Sequence, residues 1–178
     1  SQALVQTVDF FTPPVADPHL FGRIAACNSL SDVYAMGGAP ISALNIVGFP
    51  VSLVKEGVLR DVLEGANEVL LETGVALLGG HSIENEVPIF GMAVTGLIDP
   101  RHIWTNGDAR EGDVVILSKA IGTGIMNTAA KGGVFPKGVQ EAIESMSRSN
   151  RTARNVAVQF SIHSCTDITG FSLVGHVC

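Results

Sequence analysis

Three aspartates stand in company that is unusual for a surface charge. Asp9 closes the apolar stretch VQTVD, Asp32 sits in the middle of NSLSDVYAMGG, and Asp167 follows Cys-Thr in CTDITGF. An unpaired buried carboxylate is costly, so each must be exposed, paired with a cation or hydrogen-bonded. Carboxylates supplied by different elements are what a hard cation such as Mg²⁺ uses, because it takes oxygen ligands and leaves positions for water and phosphate. The pattern therefore permits a metal-nucleotide site. Taken singly, an Asp more often caps backbone amides at a turn or helix end.

A second candidate is LLGGHSIE, which sets Gly79, Gly80, His81 and Ser82 directly after an apolar run. Backbone amides of such a loop can form an anion nest, with His81 and Ser82 adding side-chain donors to a phosphate; a plain connection between strands is the alternative. It lacks the GxxxxGK[ST] pattern and is no P-loop. IGTGIMNTAAKGG, with Gly122, Gly124 and Lys131, reads better as a glycine-eased helix entry than as a phosphate loop. His19, His102, His163 and His176 show no zinc spacing, and no GxSxG anchors a Ser/His/Asp mechanism. Of the three cysteines, Cys27 falls in a helical apolar pattern that predicts a buried structural thiol, Cys165 beside Thr166-Asp167 is ambiguous, and Cys178 ends the chain.

Elements that would position these groups can be read from periodicity. Residues 3–11 read as a strand that brings Asp9 near its end before Thr12-Pro13-Pro14. Asp17-Pro18 supplies an N-cap and a first-turn proline, and Gly37-Gly38 a stop, which predicts a helix over 18–36. Within it Asn28 and Asp32 are one turn apart and share a face. A strand over 41–50, a helix over 53–73 stopped by Gly74, and strands in VALLGG and PIFGMAVTGLI on either side of the GGHS connector complete residues 1–99. After Asp99-Pro100 the chain turns polar, and we place a domain boundary there. Residues 100–178 then predict a strand at 114–119 (VVILSK), helices over IGTGIMNTAAKGG and 138–160, and a strand or loop in SCTDITGFSLVGH. Alternating strands and helices give an α/β (α+β) class.

With 178 residues and 46% hydrophobic content the chain can fill a proper core. A net charge of −6 without a basic run argues against nucleic-acid and membrane-surface partners, and an acidic protein that binds a nucleotide needs metal ions to bridge the two. No stretch is apolar for long enough to span a bilayer, no signal-peptide pattern opens the chain, and the cysteine usage predicts a reducing, cytoplasmic setting. The chain starts without Met on a strand and stops within FSLVGHVC, which leads us to expect a piece of a longer protein.

In combination, QTVDFFTPPVADPHLFGRIAACNSLSDVYAMGGAPISALNIVGFP, LLGGHSIENEVPIFGMAVTG and CTDITGFSLVGH resemble the selenophosphate synthetase family, in order and over nearly the whole chain. The resemblance implies a two-domain fold like that of aminoimidazole-ribonucleotide synthetase, with a nearly complete N-terminal ATP-binding and dimerisation domain over 1–99 and a truncated C-terminal domain over 100–178. It implies a homodimer that converts ATP, selenide and water to selenophosphate, AMP and phosphate, feeding selenocysteine and selenium-modified tRNA. Mg²⁺ is the implied cofactor. By motif, Thr7 and Asp9 would contact ATP or its metal, Asp32 would hold Mg²⁺, with Asn28 a weaker candidate on that face. Gly79, Gly80, His81 and Ser82 would contact nucleotide, partly across the dimer, and Asp167 would complete the metal cluster.

Departures from the family pattern bear on activity. No catalytic residue is assigned within the chain, because the family's reactive Cys or selenocysteine and its Lys are expected upstream of Ser1, and neither Cys27 nor Cys165 matches that position. Ala16 replaces a frequent Asp and Ser172 a usual Gly. The rivals are another ATP-using member of the same superfamily and a non-catalytic dimerisation or nucleotide-binding module.

Overall fold

In the computed structural model, which describes residues 1–177, a four-stranded sheet is built by β1 (Ala3–Phe11), β2 (Ala39–Phe49), β3 (Ala76–Glu84) and β4 (Ile89–Ile98). Cys178 lies outside the described residues. The strand order is β1-β4-β2-β3. β4 is antiparallel to both neighbours, while β2 and β3 run parallel because a helical crossover separates them.

α1 (Pro18–Ala35) lies on one face of the sheet. Its start follows the sequence signals: the Asp17 carboxylate accepts from Leu20 N at 2.9 Å. Its end is a Schellman cap, in which the N–H groups of Gly37 and Gly38 donate to Tyr34 O and Val33 O, both at 2.9 Å. α3 (Val58–Thr73) packs beside it, and Phe21, Leu30, Val33, Val62, Val69, Leu70, Phe90 and Met92 form the buried layer between helices and sheet. The two helices approach backbone to backbone. A Cβ on Gly22 would stand 1.9 Å from Val62 O, and one on Gly65 2.0 Å from His19 O, so both positions require glycine. Arg23 staples the pair at its rim through Glu68 and Glu72, at 2.7 and 3.0 Å.

The opposite sheet face is bare. Leu4, Val8 and Phe10 of β1 are 67%, 57% and 51% exposed, and β3 is exposed along its whole length. An apolar strand face left open within one chain has no counterpart in the helix layer.

Four elements differ from the sequence expectations. The helix expected over 53–73 is two, α2 (Val51–Lys55) and α3, because the chain turns through a positive φ of 87° at Gly57. GGHS is no connector but lies inside β3. VVILSK forms no strand: Val114, Val115 and Ile116 are more than 70% exposed, and no described strand lies beside them to pair with. The 138–160 helix divides into α5 (Pro136–Met146) and α6 (Arg151–Ala157), separated by Ser147-Arg148-Ser149-Asn150, whose short polar side chains favour caps and turns. α4 (Thr123–Lys131) forms where IGTGIMNTAAKGG predicts it. The segment around CTDITGF is a loop leading into α7 (Ser172–Val177), and Ser172 itself holds a left-handed φ of 61°, the conformation that glycine adopts freely.

Candidate metal-nucleotide site

Alternation along β1 turns Val5, Thr7 and Asp9 toward the helices and Leu4, Gln6, Val8 and Phe10 away from them. On α1 the one-turn spacing places Asn28 and Asp32 opposite that row. Asn28 Nδ2 donates to Asp9 Oδ2 at 2.9 Å, and the Thr7 hydroxyl donates to Asp32 Oδ2. Ser29, the neighbour of Asn28, locks the register: its Oγ donates to Asp9 O and accepts from Met92 N, each at 3.2 Å. Thr7, Asp9, Asn28 and Asp32 thus come together, and Asn28 and Asp32 share a helix face as their spacing predicted.

Asp167 arrives from the loop before α7. The Asp32 carboxylate is within hydrogen-bonding reach of both Asp9 and Asp167, so β1, α1 and the late loop deliver three carboxylates to one place. Among the described residues none of the three pairs with Lys, Arg or His. The electrostatic cost is visible in their acidity. Burial first, then the charges of Asp32 and Asp167, push the Asp9 carboxyl up to about 6, against the pull of the Asn28 amide. Asp167 is raised by burial and by Asp32, with His176 of α7 acting in the opposite direction.

The donor set is all carboxylate oxygen, which suits a hard divalent cation in kind. Among the described residues, however, no group of three or more His, Cys, Asp or Glu side chains is gathered tightly enough to hold a metal ion as it stands.

Gly79–Ser82 stand apart from this cluster. Asp9 pairs with Met92, Met92 with Asn45 and Asn45 with Gly80, so Gly80 is three strands away, about 14 Å at the usual interstrand spacing. In an extended strand His81 and Ser82 point to opposite faces, so the expected nest, with both side chains on one phosphate, does not form within a single chain. Gly80 is nevertheless demanded by the fold: at φ 151° a Cβ would stand 2.2 Å from Asn45 O.

Cys27 is a buried structural thiol as predicted; its Sγ donates to Ser147 O at 3.2 Å, and burial pushes its pKa up to about 11. Cys165 is also raised by burial, so neither is an activated nucleophile. A concavity of about 500 Å³ lined by Arg23, Glu72, Ser147, Arg148 and Arg151 opens between the helices, away from the carboxylates, and its opposed charges give it no evident ligand. Sequence reasoning did not find Ser29, whose small side chain is the only hint of its bridging role.

A mixed α/β layer with a carboxylate cluster at the meeting of strand, helix and late loop defines the class of protein. Residues 1–98 match the AIR synthase related protein, N-terminal domain family, and the chain belongs to it. Over 98% of its length the chain is 48% identical to a selenide, water dikinase of Pelobacter propionicus, of which it covers 51%, and it is 50% identical to one of Desulfitobacterium hafniense with the same coverage. It thus spans about half the length of the curated relatives it matches. Among solved structures, AaThiL complexed with AMPPCP and TMP superposes with a TM-score of 0.80 at 20% identity, over 94% of this chain and 56% of that one. This last likeness is one of fold.

Proposed function

We propose that the protein to which this chain contributes is a selenophosphate synthetase, forming selenophosphate, AMP and phosphate from ATP, selenide and water. The convergence of Asp9, Asp32 and Asp167, without a cationic side chain to neutralise them, carries the reading. Similarity to the selenide, water dikinases supplies its substrate. In this reading the three carboxylates hold Mg²⁺, which supplies the positive charge that ATP phosphates need beside an acidic surface. The chain's own groups divide the remaining work. Thr7 fixes the Asp32 carboxylate by hydrogen bonding, Asn28 holds the rotamer of Asp9, and Ser29 keeps both at the mouth of the sheet.

Gly79, Gly80, His81 and Ser82 take part from a second copy. The bare face of Leu4, Val8 and Phe10 and the exposed β3 support a homodimer in which a partner's β3 reaches the nucleotide that its own carboxylates cannot share. The same reading divides the chain into a domain over 1–99 and the beginning of a second over 100–178, in keeping with a family match that ends at residue 98. No helix among the described residues is long and apolar enough to cross a membrane, which accords with the cytoplasmic setting we propose.

The bare face also favours a narrower reading for the chain alone, a dimerising half-site without turnover. Selenide-dependent release of AMP from ATP by the full-length protein is the test of the first reading. Dimerisation without AMP formation by these 178 residues fits the second.

A further inference from the structure

Asp32 and Asp167 belong to parts of the chain that are far apart in sequence, and backbone contacts through Trp104 and Thr105 join the segments that carry them. Where α1 ends, four residues after Asp32, Met36 O accepts from Trp104 N at 3.1 Å. The indole lies flat against Gly37, whose φ of 81° and missing side chain leave room for it: a Cβ there would stand 3.0 Å from the ring. Arg154 holds the other side of the same turn, its Nε and Nη2 donating to Gly37 O at 2.9 and 2.7 Å.

The next residue bonds to the segment that carries the other carboxylate. Thr105 O accepts from Cys165 N at 2.9 Å and from Ser164 Oγ at 3.1 Å, in an isolated parallel bridge two residues before Asp167. His163 and Asp113, 2.8 Å apart, tie the same segment down. The contact path Asp32, Met36-Gly37, Trp104-Thr105, Ser164-Cys165, Asp167 is continuous. Trp104 is only 8% exposed and is the sole tryptophan of the chain.

We propose that Trp104 and Thr105 are the positioning joint that sets the separation of Asp32 and Asp167, and that closure of the carboxylates on a divalent cation is transmitted to the Trp104 indole. The inference rests on the metal-site reading above and assigns these residues no contact with substrate. A cation shared by Asp32 and Asp167 would draw on both ends of this contact path, with the Trp104 indole between them. Partners that orient metal ligands typically contribute a factor of 10–100 to metal affinity, which sets the expected scale.

The test is Mn²⁺ binding to the 178-residue chain, followed by electron paramagnetic resonance and by Trp104 emission, with thermal unfolding recorded alongside. Wild type should bind, and its emission should shift with the same midpoint. Asp167→Asn should abolish the emission shift while leaving Trp104 in place. Trp104→Leu should weaken binding about tenfold, Trp104→Phe should restore most of it, and Ser164→Ala, which removes only one half-buried hydroxyl, should weaken it by a smaller measurable factor. Equal affinity for wild type, Trp104→Leu and Ser164→Ala, with Asp32→Asn still defective, would overturn the joint and leave the carboxylate site standing. Failure of wild type to bind Mn²⁺, or undiminished binding by Asp32→Asn, would overturn both.

Discussion

Asp9 is held in the folded chain against its own charge. The pKa of its carboxyl is raised to about 6, whereas in the unfolded chain it titrates near the ordinary carboxylate value of 3.8. Between those values the native state binds more protons than the unfolded state, so stability falls as pH rises through that window and the full penalty is present above it. Asp9→Asn keeps an acceptor for Asn28 and removes the charge. It should flatten the pH dependence between pH 4 and 6 and stabilise the metal-free chain at pH 7 by about 1 kcal/mol, a figure discounted for a half-exposed group. Denaturant unfolding at several pH values measures it, and an equal loss of stability at every pH would contradict it. At this scale the sequence was informative where side chains sit at fixed local spacing: Asn28 and Asp32 one turn apart had to share a face. Asp167 was legible only through its motif, because nothing in spacing tells which loop closes over which strand. Ser29 and Trp104 were not legible at all, since a bridging serine and a strut indole have the same local signature as ordinary core residues.

At the scale of elements, the parts read correctly are those whose own sequence carries the pattern. α1 has its cap, its first-turn proline and its glycine stop, and β1 and β4 have their alternating or continuous apolar runs. The first half of β3 was legible in the apolar run VALLGG, whereas its continuation through His81–Glu84 was not, because two glycines interrupt the pattern and both faces are exposed; pairing with β2 extends the strand. VVILSK shows the converse, strong β-propensity without a described neighbour to pair with. Glycine at position 80 is therefore a packing requirement before it is a ligand contact. Gly79→Ala meets no atom and should cost only backbone strain, about 1–3 kcal/mol, whereas Gly80→Ala adds a collision with Asn45 and should cost clearly more, with β3 loosened from β2. Thermal unfolding of the two variants with hydrogen exchange in β3 distinguishes them; equal costs would show that β3 is not held as described.

For the whole molecule, the distribution of apolar surface is decisive. One sheet face is sealed by α1 and α3, the other offers Leu4, Val8 and Phe10 of β1 to solvent, and the exposed strand β3 forms the opposite edge of the sheet. A second copy of the chain would cover this face and bring a GGHS strand toward the carboxylates. Phe10→Glu should convert a dimer to a monomer in sedimentation equilibrium without altering the helix-side core, and a wild-type monomer would contradict the proposed assembly. The two halves of the nucleotide site, acidic and glycine-rich, would then come from different copies, which accounts for their separation across the sheet. The central claim is that Asp32 and its two companions serve phosphate transfer to selenide. Its most direct measurement is AMP formed by the full-length protein from ATP and Mg²⁺ with and without selenide, in wild type and in Asp32→Asn. Wild type should release AMP only with selenide, and Asp32→Asn should lose at least about 100-fold of this turnover with the fold retained; selenide-independent AMP, or normal turnover by Asp32→Asn, would rule out this role for the carboxylates.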